Sequence, residues 1–320
     1  MVIKLRDLSL DDIPAWHRLR AEIEEEVQTG EHGSVEEDAE EFARTTADGR
    51  GAVVGAFDGA ELVGYFSVNG QEPTGSIQSV QLNGGVTPRR HAEGIGSLLF
   101  PAMLRRGREI HAEHAPDVPV RFDITGNTDD TAQAALFTAH GFLPQRWSVL
   151  MRHGLTDLPD MPPLPEGFTL ADADPARDAT QLLTAHNEAF KDQPGAALWS
   201  ADDWQEIVVD KSQVRWDLSS VVTSGDEVAA YLHTEAWPVD DAAAGAREGW
   251  IARLGTLRAH RGRGLATALL LRALHACAAD GLTAVELEVD PKNPTDPLKI
   301  YARAGFAVKT RLAEYRLTEN

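Results

Sequence analysis

A disulfide needs two thiols, and this chain of 320 residues has one cysteine, Cys277. Internal cross-links and paired-thiol zinc or redox sites are excluded on that count. Cys277 itself lies in the apolar stretch LLLRALHACAADG, where a thiol is a small buried hydrophobe and not a nucleophile. Long apolar runs are missing too. No window approaches the ~18 consecutive apolar residues of a membrane span, and the opening MVIKLRDLSLDDIPAW holds no apolar stretch of signal-peptide length. The expectation is a soluble, cytoplasmic protein with no membrane partner. Positive charge is scarce as well: 30 Lys and Arg stand against 50 Asp and Glu, a formal charge of -20. Such a surface repels phosphate backbones, so no nucleic-acid partner is expected. Metal-ligand clusters are absent at recognisable spacing. In His111-Ala112-Glu113-His114 the histidines are three apart and no third ligand is in view, which fits a solvated helix face; no metal is expected.

What remains is ordinary globular composition, 42% hydrophobic and 25% charged, at about twice the modal domain length of ~150 residues. Two domains are expected, 1-152 and 167-320. The proline-rich run of residues 153-166, with Pro159, Pro162, Pro163 and Pro165, forms the linker between them. The halves repeat each other. Each opens on a short strand and an acidic cluster followed by an apolar-periodic helix. Each continues with a hairpin, turning at Asp58-Gly59 in one half and Gly225-Asp226 in the other. A further strand then meets a glycine-bearing loop and a long apolar helix, and each half closes with a strand, an Asn-containing turn, a helix and a Gly-Phe pair, Gly141-Phe142 and Gly305-Phe306. The fold class is α/β, a tandem repeat in which each half is a mixed sheet flanked by helices.

In the second half, Arg261-Gly262-Arg263-Gly264-Leu265-Ala266 joins a strand ending near Leu257 to the long helix. A strand feeding a helix through small residues leaves the first helical N–H groups unpaired and aimed at one spot, where the helix dipole favours negative charge. Glycine at 262 and 264 lets an anion reach the backbone, while Arg258, Arg261 and Arg263 gather positive charge on an acidic protein. Taken by itself the loop reads equally as a solvated basic turn capping a core helix. Arg261-x-x-Gly264-x-Ala266 after a strand, followed by VDPKN, Tyr301 and Gly305-Phe306, resembles the signature of the GNAT superfamily of N-acetyltransferases in both halves. The resemblance implies two tandem acetyltransferase-like domains, each a mixed, mostly antiparallel sheet. It implies acetyl-CoA as co-substrate, with Thr256 and Leu257 facing pantetheine, Arg261, Gly262, Arg263, Gly264, Leu265, Ala266 and Thr267 around the pyrophosphate, Asn293 on the pantetheine or acceptor side, and Tyr301 as general acid. The tandem arrangement also resembles actinobacterial acetyltransferases of the mycothiol synthase kind, in which a Glu is expected on the strand before the loop. Trp250 stands at that place here, with Glu248 two residues earlier.

Aminolysis of a thioester needs a donor for the oxyanion, a proton for the departing thiolate and a base for the ammonium. The base is open between Glu248, Glu235 and a water chain that replaces both, a rim carboxylate being the commoner fate of any single Glu. The first half has Glu93 where the second has Arg263, and Phe137 where the second has Tyr301, so the first domain is expected to be degenerate and catalytically silent. Five tryptophans, Trp199, Trp204, Trp216, Trp237 and Trp250, fall in the second half, as core or as an aromatic wall around an acceptor. The expected activity is transfer of an acyl group from acetyl-CoA to a small-molecule primary amine by direct attack in a ternary complex. The other reading of the same residues is a non-catalytic acyl-CoA-binding or regulatory tandem domain. Acceptor identity, acyl length and oligomeric state are not specified by the sequence.

Overall fold

The structure is a computed structural model and describes residues 2-29, 33-191, 198-237, 247-292 and 297-320. The chain runs through β1 (Ile3–Asp7), α1 (Ile13–Val27), α2 (Val35–Thr46), β2 (Gly51–Asp58), β3 (Glu61–Gly70), β4 (Gln78–Val86), α3 (Ile95–His114), β5 (Val120–Asn127), α4 (Thr131–Ala139) and β6 (Leu143–His153). The same succession then recurs as β7 (Phe168–Asp172), α5 (Pro175–Phe190), α6 (Ala201–Trp204), β8 (Ser220–Ser224), β9 (Glu227–Ala236), β10 (Glu248–Thr256), α7 (Leu265–Ala279), β11 (Ala284–Val289), α8 (Pro297–Arg303) and β12 (Ala307–Glu319). Both hairpins turn where the dipeptides stand, with Gly59 at φ 64° and Gly225 at φ 60°, a conformation glycine adopts without a Cβ clash.

Two compact units result, Met1–Ser148 with Thr310–Asn320, and Val149–Lys309. In the first, β1 to β4 pair antiparallel in order, β4 pairs β5 in parallel, and β12 pairs β5 antiparallel with Leu312 opposite Asn127 and Glu319 opposite Val120. The second repeats the pattern: β7 to β10 antiparallel, β10 with β11 parallel, and β6 antiparallel to β11, Val149 opposite Val289 and His153 opposite Val285. Each sheet is covered on both faces. In the first unit Leu99, Phe100 and Met103 of α3 pack on Val54, Phe66 and Val80, while Trp16 and Leu19 of α1 lie with Val53 and Tyr65. In the second, Leu269, Leu270 and Leu274 of α7 pack on Leu232, Ile251 and Leu287, and Leu182 and Ala185 of α5 lie with Val221 and Tyr231. Each Leu, Ile, Val, Phe or Met among these contributes ~1.5–3 kcal/mol when fully buried.

The partition at 152 and 167 read from the sequence follows chain continuity, whereas the compact units follow strand pairing. Residues from Thr310 close the first unit, because β5 accepts β12 along its free edge and Ala313 and Tyr315 complete that core. Arg316 secures the strand, its Nε 2.6 Å from Asp123. Val149–His153 in turn belong to the second unit through β11. The proline-rich run is also part of that unit: Leu155, Leu158 and Leu164 pack on its core, and His275 Nε2 bonds the Pro159 carbonyl at 2.9 Å. Among the described residues no helix is long and apolar enough to cross a membrane.

Candidate active site

The anion loop of the second unit is built at the end of β10. Thr256 closes the strand, and Leu257, 8% exposed, anchors the exit by donating its N–H to the Ala229 carbonyl at 3.0 Å. One turn of 3₁₀ helix, Arg258–His260, follows. Gly262 and Gly264 then take φ of 75° and 79°, and a Cβ at either would meet nothing within 4 Å, so both face open space. Their left-handed backbone is the reason for glycine, since an L side chain there costs ~1–2 kcal/mol. Gly264 caps α7, and the Ala268 N–H is the first bonded back into the helix, to the Gly264 carbonyl at 3.0 Å. The N–H groups of Leu265, Ala266 and Thr267 precede it and point out of the helix end toward the loop. Leu265 is 1% exposed and ties the helix start into the core. Arg261 has a task not visible in the sequence. Its guanidinium donates to the Thr256 carbonyl at 3.1 Å and to the Ala189 carbonyl at the end of α5 at 2.9 Å. It thus fixes the loop against two elements while bringing its charge to the helix end. Arg263 is exposed, with its guanidinium carbon 5.7 Å from the Phe168 ring centroid.

The first unit has the same backbone with different charges. Gly94 caps α3 at φ 83° and ψ 3°, against 79° and 2° at Gly264, and Ala92 holds a φ of 61° where the second unit has Gly262. Its cations are already matched. Arg90 reaches Glu93 at 2.7 Å and Asp58 at 3.2 Å, and Arg89 reaches Glu22 at 3.2 Å. An incoming anion would have to displace carboxylates to use these charges.

Tyr301 lies on α8, half-buried, with its ring edge-on to Phe306 at 6.0 Å, and burial pushes its phenol up to about 12. At the matching place in the first unit Phe137 is 4% exposed and stacks on Phe100 at 5.2 Å, a core ring without a hydroxyl. Asn293 lies outside the described residues. The two carboxylates are both in ion pairs. Glu248 opens β10, about 26 Å along the strand from Thr256, and bonds Arg152 at 2.5 Å; Arg152 also bonds Glu286 at 2.7 Å. Glu235, 3% exposed on β9, bonds Lys211 at 2.9 Å and faces Arg253 at 3.6 Å.

Beside Glu235 lies a set of polar residues that sequence reasoning passed over. Tyr231, His233 and Glu235 alternate along β9 and so share one sheet face, the one covered by α5. The Tyr231 hydroxyl and His186 Nδ1 are 2.6 Å apart, and the His186 ring touches Trp199 and Trp204. The strand pair carries a register shift between Ile251 and Arg253, opposite His233. Burial, then the Arg253 charge, lowers His186 to about 4; the same causes followed by Lys211 and His186 lower His233 to about 3. Both therefore fold as neutral imidazoles. An unfolded histidine takes its proton near pH 6.5, so below that value the unfolded chain binds protons that the folded chain refuses, and stability falls as pH falls. Between pH 7.5 and pH 5 each histidine is expected to remove about 1–2 kcal/mol. Urea denaturation followed by tryptophan fluorescence checks this, and a midpoint that does not move over that window contradicts it.

Residues 180-306 match the acetyltransferase (GNAT) family. The mycothiol acetyltransferase of Frankia alni is 30% identical over 263 residues, covering 79% of this chain and 74% of that protein. That of a Parafrankia species is 27% identical over 98% of this chain and 97% of its own. Among solved structures, a GCN5-related N-acetyltransferase from Sphaerobacter thermophilus superposes with a TM-score of 0.76 at 25% identity, over 99% of this chain and 95% of that one. A tandem GNAT protein from the clavulanic acid biosynthesis pathway shares the fold, with a TM-score of 0.66 at 16% identity over 99% of this chain and 98% of its own. The chain belongs to the GNAT family of acetyltransferases. It is an N-acetyltransferase of the tandem type, similar to the enzymes named mycothiol acetyltransferase.

Proposed function

We propose that the Val149–Lys309 unit transfers an acetyl group from acetyl-CoA to a small-molecule primary amine by direct attack in a ternary complex, and that the other unit is catalytically silent. The contrast between the two loops carries this reading: one backbone serves both, but Arg89 and Arg90 already face carboxylates while Arg261 spends its bonds on neutral carbonyls and keeps its charge. Acetyl-CoA supplies the acyl group activated as a thioester. The N–H groups of Leu265, Ala266 and Thr267, with Arg261 and Arg263, hold its pyrophosphate; Gly262 and Gly264 let it approach; Thr256 and Leu257 border the pantetheine arm, and Asn293 belongs to the same reading. Attack of the amine nitrogen on the thioester carbon forms the C–N bond, and collapse of the tetrahedral species breaks C–S. Tyr301 donates a hydrogen bond or proton to the departing sulfur. Glu235 receives the ammonium proton in this reading, in preference to Glu248, because it shares the α5-covered face of β9 with Tyr231 and His233.

Calorimetric titration of acetyl-CoA into coenzyme-free protein tests the assignment. One site per chain is expected. Two sites would restore the first unit as a binder, and none would remove the coenzyme on which the reading depends.

A further inference from the structure

The face shared by Tyr231, His233 and Glu235 holds more positive charge than the fold needs. Lys211 and Arg253 meet one carboxylate, Glu235, with Arg253 at 3.6 Å, beyond good hydrogen-bond distance. His186 and His233 are neutral, so the cluster keeps one unit of positive charge in a protein of formal charge -20. Arg253 Nη1 and both ring nitrogens of His233 are buried with no hydrogen-bond partner among the described residues, His233 being 3% exposed. Buried polar groups are left open at a cost, and a buried cation at a larger one. Water would satisfy the hydrogen bonds and leave the charge.

The other unit shows that the architecture does not require these side chains. Arg253 pairs with His233 between β10 and β9; at the matching rung of β4 and β3, Asn83 pairs with Ser67. Glu235 has its counterpart in Asn69, while Tyr65 keeps the place of Tyr231. The first unit's half-buried cation near Tyr65, Arg20, is matched by two carboxylates, Asp38 and Glu41, each at 2.6 Å. The charge left over in one repeat and absent from its twin is therefore a local specialisation.

We propose that the amine acceptor carries a carboxylate, held by Arg253 and His233 beneath Trp199, so that the substrate class is an amino acid or a related amino carboxylate. This rests on the acetyl-transfer reading above. One excess positive charge suits a monoanion; a phosphate monoester, at about -1.5 to -2 near neutral pH, overfills it. Trp199, 5.2 Å from the Arg253 guanidinium carbon, orients that cation across the indole face. Arg253 and His233 are direct cross-strand partners, so one guanidinium N–H and one imidazole N–H lie on adjacent strands, a donor for each oxygen of a carboxylate.

The test sets L-amino acids beside their own carboxamides as acceptors, with thiol release from acetyl-CoA as the readout. The amide has the less basic amine, more of it unprotonated at pH 8, so chemical reactivity alone favours the amide. The proposal expects the reverse, a kcat/KM for acids about tenfold or more above that for amides, expressed mainly in KM. Arg253→Gln is expected to bring the ratio to about one, and the pair Arg253→Asn with His233→Ser, residues the sister sheet already accommodates, to do the same. A ratio near one in the unaltered protein, a preference that survives both variants, or turnover of neutral amines alone overturns it. Should no amine in the panel react, calorimetry of propionate against propionamide on the CoA complex decides, and equal or absent binding of propionate overturns it. Acetyl-CoA titration of the same preparations separates the two readings: lost coenzyme binding sinks the acetyl-transfer assignment, and retained binding without carboxylate preference sinks this one alone.

Discussion

Replacing Arg261 and Arg263 together by glutamate is expected to weaken acetyl-CoA binding by about a thousandfold or more, beyond detection in a calorimetric titration. Two reversals move four units of charge at the mouth of the helix proposed to hold the pyrophosphate, and charge-assisted hydrogen bonds to phosphate are the strong ones. The two positions differ in mechanism. Arg263 is exposed and touches a ring, so Arg263→Glu alone tests electrostatics with little structural cost. Arg261 also ties Thr256 to Ala189, and Arg261→Glu removes both bonds and leaves the carbonyl at the end of α5 unmatched. Arg261→Gln keeps one donor and separates the two effects: binding that tracks charge falls most in the glutamate variants, binding that tracks loop geometry falls equally in both. Reversal at Arg89 and Arg90 of the sister loop is expected to leave stoichiometry and affinity unchanged. Tight acetyl-CoA binding by the Arg261→Glu, Arg263→Glu protein would refute the site.

The repeat was legible because its markers are local. Asp58-Gly59, Gly225-Asp226, the Gly94 and Gly264 loops and the two Gly-Phe pairs each declare a turn or a cap within a few residues, and the structure puts each of them where the sequence reading has it. Strand exchange was not legible. Whether β12 pairs with β5 or with a neighbour of its own half depends on which edge is open, and no periodicity within residues 307-319 encodes that. The sister loop's weakness was visible in part, since Glu93 is next to the glycine, but Asp58 and Glu22 arrive from distant elements. Arg261's bond to Ala189 spans 72 residues and likewise has no local sign. Arg253 and His233 were within reach. An arginine facing a histidine across two largely buried strands, set against Asn83 and Ser67 in the other half, was a signal available to a rung-by-rung comparison of the repeats.

Tyr301→Phe is expected to lower kcat by about 10- to 100-fold with acetyl-CoA affinity nearly unchanged. The size follows from the chemistry the hydroxyl can perform. A phenol pushed up to about 12 by burial is fully protonated at every working pH and is always available as a donor. A thiol has an ordinary pKa of about 8.5, so complete transfer from such a phenol to a free thiolate runs uphill by about 3–4 pKa units. In the proposed role its contribution is therefore a hydrogen bond to sulfur as negative charge develops there, worth about 1.5–3 kcal/mol for a bond to a charged group, with the proton following as the thiol leaves. That bond exists in the transition state and not with the intact thioester, so its loss appears in kcat and kcat/KM together. Half-burial against Phe306 favours the substitution structurally, since phenylalanine keeps the ring and its edge contact. The pH profile gives a second reading. The acid is lost only as pH rises through about 12, so the unaltered enzyme should show no alkaline decline from Tyr301 below about pH 11, and the variant should keep the shape of the profile at reduced height. An unchanged kcat would remove Tyr301 from the reaction, and a decline that instead falls wholly in acetyl-CoA binding would make it a wall of the coenzyme site. Phe137 at the matching place in the sister unit already shows phenylalanine in a native setting, buried in an aromatic stack.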